Sequence, residues 1–315
     1  MTGRISDGSG VVGLVKSGSG TWSLAGVHTF SGAVSHQEGT LGVFSPLAKQ
    51  AVTVYPGAVL TGNGTLGGSV SVSGIHSPGD GVGSQSIQGP LSYQDGARIR
   101  WEIGGQSPSG DLITAAAVTV ASGASIDVVA NPPNGTVDFT LPFWREAMTW
   151  PVLTANSIAG SFTLASGAVD STGGPSLPYG DFNLVQTPAS VSLQWTPAPP
   201  FRTWQYVSFG TSWDDPSIAG ADQDPDADGW SNANEWITGT DPKKASSRFT
   251  ATLDQSGLLF NRVEGRSYRI ETTANLQDEW TTHAIVPSGS GPVTIPIIPT
   301  GEPRRFYRVA VGWNP

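Results

Sequence analysis

The sequence predicts an all-β chain whose first two hundred residues form a β-solenoid, a coil of stacked short strands. Three observations predict it. β-type runs of about three to six residues, rich in Val, Thr, Ile and Leu, sit between Gly, Ser, Asn and Asp. Glycine recurs beside these runs. Similar phrases return at Gly57-Ala-Val-Leu, Gly64-Thr-Leu-Gly and Gly123-Ala-Ser-Ile. The spacing of roughly 6–12 residues also fits a β-sandwich. The shortness of the runs and the recurring phrases favour the solenoid, in which each phrase forms one edge of a coil and small aliphatics fill the inside.

The expected strands follow in order. They are Thr21–Leu24, Gly39–Val43, Val52–Tyr55, Ala58–Thr61, Gly64–Leu66 and Val70–Ser73, then Ala97–Ile103, Val118–Val120, Ala124–Val129, Val137–Leu141 and Val191–Trp195. Ile99, Trp101 and Ile103 alternate with Arg98, Arg100 and Glu102, which reads as one buried and one wet face. Thr196-Pro-Ala-Pro-Pro-Phe201 predicts a stiff extended connector. The domains are therefore expected at residues 1–195 (solenoid), 196–201 (linker), 202–246 (an aspartate-dense segment) and 247–315. Phe249–Leu253, Leu258–Val263, Ser267–Glu271, Val293–Ile298 and Phe306–Val311 give the last of these the strands of a small antiparallel β domain.

Composition narrows the function classes. Glycine takes 41 of 315 positions, and charged residues are 13%, about half the usual quarter, so long surface helices are disfavoured. With 16 basic and 25 acidic residues the net charge is −9, which argues against a nucleic-acid binder that neutralises phosphates. There are no cysteines, which excludes disulfides, zinc–thiolate sites and thiol catalysis. No apolar run approaches the roughly 18 residues of a membrane-spanning helix. Met1–Gly10 is polar and glycine-rich, unlike a signal peptide.

Leu14-Val-Lys-Ser-Gly-Ser-Gly-Thr-Trp-Ser-Leu-Ala-Gly-Val-His-Thr-Phe-Ser-Gly32 resembles the autotransporter-associated β-strand repeat, also called the passenger-associated transport repeat, with Trp22 in place of a leucine. Glu38-Gly-Thr-Leu and Gly57-Ala-Val-Leu-Thr-Gly-Asn-Gly-Thr-Leu-Gly-Gly68 continue the likeness. It is clear over residues 11–80 and looser to 195. The resemblance implies a right-handed parallel β-helix and a stalk, adhesive surface or export aid on a secreted or cell-surface protein of a Gram-negative bacterium. The chain departs from such proteins in lacking a signal peptide and in ending Val311-Gly-Trp-Asn-Pro315 without an outer-membrane barrel. It reads as the C-terminal part of a longer surface protein or as a truncated gene model.

Asp224-Pro-Asp-Ala-Asp-Gly-Trp-Ser-Asn-Ala-Asn-Glu235 fits the calcium-loop pattern D-x-[DN]-x-[DN]-G-x5-E. Calcium takes six to eight hard oxygens. Asp224, Asp226 and Asp228 supply them from alternate positions, Gly229 gives the sharp turn, Trp230 offers a carbonyl and Asn232 its ninth-position side chain. Glu235 closes the shell with both oxygens. A register starting at Asp222 puts Ala227 where the glycine belongs, so the first register is preferred, with Asp222 and Asp241 as outer candidates. The alternative is a plain acidic turn. Asp224 through Pro242 also resembles single loops of thrombospondin type-3 and dockerin-like kind. Ser231 replaces the aliphatic that pairs sister loops, and no amphipathic helix enters the loop. Ser231 caps and Gly239 stops a short exiting helix, so a lone structural site is expected rather than a switch.

The tail, Ser267-Tyr-Arg-Ile-Glu271 through Arg305-Phe-Tyr-Arg-Val-Ala-Val311, looks like the small β domain that often follows this loop. Trp280, Phe306 and Tyr307 are either core or a sugar-stacking surface. Asp80, Asp95, Glu102, Asp111, Asp127 and Asp138 are scattered beside glycine turns, and His28, His36, His76 and His283 lack metal spacing. No nucleophile elbow or phosphate loop is present. The expectation is a non-catalytic surface protein with Ca2+ as its ligand and extracellular glycans or proteins as partners. The competing expectation is a secreted carbohydrate-active or glycan-binding protein, and converging carboxylates in one groove would favour it.

Overall fold

The computed structural model describes residues 3–104, 109–130, 137–165, 178–297 and 304–313. Strands take 46% of the residues and helix 8%, so the chain is all-β. It divides into two compact units, Met1–Ala198 and Pro199–Pro315.

The strands of the first unit are β1 (Leu14–Lys16), β2 (Thr21–Leu24), β3 (Val34–His36), β4 (Thr40–Val43), β5 (Val52–Val54), β6 (Val59–Gly62), β7 (Val70–Val72), β8 (Ile75–Pro78), β9 (Ser84–Tyr93), β10 (Arg98–Glu102), β11 (Leu112–Val120), β12 (Ser125–Val129), β13 (Met148–Ala159), β14 (Thr163–Leu164), β15 (Gly180–Gln186) and β16 (Ser190–Pro197). Odd strands β1 to β13 line up in chain order in one sheet, and even strands β2 to β14 in another. All these neighbours pair in parallel. Parallel neighbours need a crossover between them. Here the crossover out of one sheet is the strand of the other.

In-register stacking explains why the repeats read as they do. Val34, Val52, Val70 and Leu91 stand side by side in the odd sheet, and all are buried. In the even sheet Trp22, Leu41, Leu60, His76, Ile99 and Ile126 form the matching rung. Each buried aliphatic contributes about 1.5–3 kcal/mol. Leu47, Leu66 and Ile87 add a third ladder, one residue wide. The expected strand Gly64–Leu66 is thus a single bridge at Leu66.

Three other expectations are corrected in this unit. Val137–Leu141 is not a strand, because Asp138 Oδ1 accepts from the N–H and hydroxyl of Thr140 at 2.9 and 2.6 Å, a local turn that leads into a 3-10 helix at Pro142–Arg145. Parallel pairing also stops short of residue 195. β16 runs antiparallel to β13 and also to β15, to which the short turn at residues 187–189 can join it only in that direction. Glu102 is only 6% exposed rather than wet, because the segment at Asp111 covers it, with Asp111 N–H donating to the Glu102 carbonyl at 3.0 Å.

This end of the unit is filled by aromatic rings. Trp144 lies 5.1 Å from Trp195 and 5.8 Å from Trp150, and Phe139 lies 5.4 Å from Trp195. Two indole donors find carbonyls, Trp195 Nε1 that of Trp144 at 2.8 Å and Trp101 Nε1 that of Asp111 at 2.7 Å, whereas Trp144 Nε1 is buried without a hydrogen-bond partner.

Residues 196–201 are not an extended connector. Thr196 and Pro197 finish β16, and Pro200 and Phe201 open helix α1 (Pro200–Phe209). Proline suits the first helical turn, where its missing N–H has no partner to lose. Among the described residues the second unit then holds helix α2 (Asn232–Thr238) and six strands, β17 (Ala251–Asp254), β18 (Gly257–Arg262), β19 (Arg266–Thr273), β20 (Thr281–Val286), β21 (Gly291–Ile295) and β22 (Phe306–Trp313). They form two antiparallel sheets, β17-β18-β21 and β20-β19-β22, around Leu258, Phe260, Tyr268, Ile270 and Val286. β20 was not expected from the sequence. Ile298, the end of one expected strand, lies outside the described residues.

Candidate metal centre

The loop between α1 and α2 folds back on its own carboxylates. Asp228 N–H donates to Asp224 Oδ1 at 3.1 Å and to Asp226 Oδ1 at 3.2 Å. Gly229 N–H donates to Asp224 Oδ2 at 2.9 Å, and Trp230 N–H to Asp228 Oδ1 at 2.8 Å. Gly229 has φ +92°, the left-handed turn expected of it. Ala227 also sits in that region, at φ +57°. One oxygen from each of Asp224, Asp226 and Asp228 lies within 4.8 Å of the others.

The exiting helix carries the next two ligand candidates inward. Ser231 caps α2 by accepting from Asn234 N–H, and Gly239 ends it at φ +76°. Both Asn232 and Glu235 are fully buried. The Asn232 amide is fixed, with Nδ2 donating to the carbonyls of Ile218 at 2.9 Å and Gly220 at 2.8 Å. That leaves Asn232 Oδ1 buried without a hydrogen-bond partner. Glu235 Oε1 accepts from the Thr240 hydroxyl at 3.2 Å, and its Oε2 is buried with none. Burial pushes the Glu235 carboxyl up to about 7, and Asp226, Asp228 and Asp224 add to the push against the Thr240 bond.

The structure therefore brings Asp224, Asp226 and Asp228 together and sets Glu235 in their field. Trp230 is tied to the loop by its N–H. Asp222 and Asp241 are outside the tight group; Asp241 Oδ1 instead accepts from Lys243 N–H at 3.1 Å. The donors are all oxygens, a set that suits a hard divalent cation. The residues fit such an ion because, in this segment, the buried oxygens without a hydrogen-bond partner are Asp226 Oδ2, Asp228 Oδ2, Asn232 Oδ1 and Glu235 Oε2, all at positions the loop pattern assigns to it.

Two contributors escaped the sequence reading. Arg248 Nε lies 3.3 Å from Asp228 Oδ2, whose side chain is 1% exposed. Thr240 supplies the only bond found for Glu235 Oε1 among the described residues. Neither belongs to the ligand pattern, so only the fold could reveal them. Arg266 anchors the end of α2 to β19 by donating from Nε to the Ile237 carbonyl at 2.8 Å, with its guanidinium 4.2 Å over Trp313.

The first unit's carboxylates are less scattered than expected. Burial pushes Asp111 up to about 8, with Glu102 adding to the push, and burial also raises Glu102, with Asp80 adding. Asp111 nevertheless serves the backbone, since its oxygens accept from Gly83 N–H at 2.7 Å and Glu102 N–H at 3.0 Å. Among the described residues this trio does not close into a group able to share one ion. Asp127 pairs with Arg98 at 3.6 Å. His76 is buried in the Leu41–Leu60 rung between the Tyr93 hydroxyl and Gln85 Oε1, each at 2.7 Å.

No family model matches the chain. Over 123 residues, 39% of this chain, it is 29% identical to an extracellular serine protease of Serratia marcescens, of which the match spans 12%. Among the described residues no helix is long and apolar enough to cross a membrane.

Proposed function

We propose that the chain is a non-catalytic, secreted or cell-surface protein in which a right-handed β-solenoid serves as a stalk and the second unit carries one structural calcium ion. The alternation of parallel strands between two sheets supports the solenoid, since each coil presents a repeated outer surface and contacts only its neighbours. The partial likeness to an extracellular protein supports export.

One observation carries the calcium reading. Glu235 is fully buried beside three aspartates with Oε2 lacking a hydrogen-bond partner. Carboxylates crowded this way repel unless a cation joins them. The test is thermal unfolding of the full chain in chelator and in millimolar calcium. Calcium raises the melting temperature of the second unit, by the equivalent of about 2.7 kcal/mol at a hundredfold excess over Kd. Glu235→Ala and Asp228→Ala shrink the difference, while Asp254→Ala, at the exposed end of β17, leaves it intact. Magnesium substitutes poorly because it demands a tighter octahedron. Identical melting in both media, with no calcium heat in calorimetry, would return the loop to an acidic turn.

A further inference from the structure

The outer face of the β20-β19-β22 sheet carries a polar arrangement that neither the fold nor the metal centre requires. Glu271, in β19, has a side chain only 7% exposed, yet it accepts from two arginines at once. Arg269 Nε donates to Oε1 at 2.8 Å and Arg308 Nε to Oε2 at 2.6 Å. Arg308 holds the Glu271 carboxyl below the usual range, and Arg269 adds to the effect, so the carboxylate is ionised. The arginines themselves are 56% and 53% exposed. Each spends Nε on Glu271, which leaves the Nη ends of both guanidinium forks outside these contacts. Arg308 is further fixed by stacking 4.4 Å over Trp280.

One rung along, Ile285, Arg269 and Ala310 lie side by side across the sheet. They border a groove of about 290 Å³ whose floor includes Ser267, Ala310 and Gly312. Ile285 is 76% exposed at its wall. The side chains of Ser267, Ala310 and Gly312 in its lining are small, and Ser267 offers a hydroxyl. A guanidinium fork matches a planar carboxylate with two parallel bonds, and holding the fork in place beforehand reduces the entropy lost on binding.

We propose that this groove binds a uronic-acid saccharide, with the sugar ring against Ala310 and Gly312 and its carboxylate on the fork of Arg269, which Glu271 holds together with the neighbouring Arg308. A pyranuronate matches the groove part by part, in an apolar ring face, a hydroxyl edge and one terminal carboxylate. Two guanidiniums against one carboxylate leave one net positive charge for the ligand to neutralise. Asp278 and Glu279 precede Trp280, and Arg304 and Arg305 lead into β22, so selectivity comes from the held fork of Arg269 rather than from a broad field. This reading does not depend on the calcium centre, although it names a ligand class for the surface protein proposed above.

The test is calorimetric titration of the full chain with tetragalacturonate at low salt in chelator, where calcium cannot bridge sugar to protein. Circular dichroism in the same buffer checks that the sheets are intact. Tetragalacturonate binds, neutral maltotetraose does not, and added salt weakens the binding. Arg269→Gln and Arg308→Gln each weaken it by at least about tenfold. Should those variants fold poorly, Ile285→Asp puts a repelling charge on an exposed position and weakens binding by a similar factor. No heat with tetragalacturonate up to about 10 mM would overturn the proposal. So would equal binding of maltotetraose, affinity unchanged in Ile285→Asp, or tighter binding of a tetraglutamate peptide, which would assign the face to acidic peptides.

Discussion

Arg248 rests its Nε 3.3 Å from the carboxylate of Asp228, and its Nη2 donates to the carbonyl oxygen of the same residue at 3.2 Å. The acidic loop thus carries a cation of its own, twenty residues downstream of the aspartate it serves. Arg248 offsets part of the repulsion before any metal arrives and then repels the metal. Arg248→Gln is expected to lower metal-free stability by about 1 kcal/mol and to tighten calcium binding by about fivefold. The gap between melting in chelator and in calcium should widen. A narrower gap would mean that the arginine acts chiefly by shaping the loop.

Ala227 occupies left-handed backbone at φ +57°, where a Cβ crowds its neighbouring carbonyl. Ala227→Gly removes that strain while loosening the unfolded chain. The net expectation is a gain of about 0.5–1 kcal/mol, read as a higher urea midpoint at unchanged slope.

His76 gives the first unit an acid-side weakness. Burial lowers its pKa to about 4, so below the ordinary histidine value of 6.5 the unfolded chain takes up a proton that the folded chain refuses. Its contribution is complete above that value and is lost as pH falls toward about 4, by at most about 3 kcal/mol. Asp111, raised to about 8, slopes the opposite way, losing stability as pH rises from the carboxylate range toward about 8. The histidine share is therefore isolated by difference. Stability of the parent minus that of His76→Leu should grow as pH rises from 4 to 6.5, and a flat difference would contradict the assignment.

Gly62 has φ +111°, and a Cβ there would stand 2.0 Å from the carbonyl oxygen of Val43 in the adjacent strand β4. Gly62→Ala is expected to cost about 3 kcal/mol or more. At Gly57, φ is +83° but the space beyond is open, so alanine there costs only the backbone strain of about 1 kcal/mol. Chemical denaturation of the two variants separates contact between adjacent strands from dihedral preference.

What could be read in advance follows from how far apart the cooperating residues lie. The strands at Thr21–Leu24, Val52–Val54 and Ser125–Val129 are visible because their apolar positions and flanking glycines are adjacent in the chain. Asp224, Asp226, Asp228, Asn232 and Glu235 stand out for the same reason, since one loop supplies them. The long strand β13 was hidden by Pro151 and its polar middle. The cluster of Trp144, Trp150 and Trp195 joins positions about fifty residues apart, which no local pattern registers. Helix α1 was obscured because consecutive prolines suggest extension, whereas at a helix start they are tolerated. Arg248 and the Arg269–Glu271–Arg308 trio carry no motif and become meaningful only once strands pair.

The side-by-side placement of Val34, Val52 and Val70, eighteen residues apart each time, makes the first unit a graduated length. Copying residues 34–51 in tandem would add one strand to each parallel sheet and extend the stack by one interstrand spacing, about 4.8 Å. The antiparallel strand β16 ends the parallel series of its sheet on the β13 side, because it no longer offers the register a further parallel strand would need.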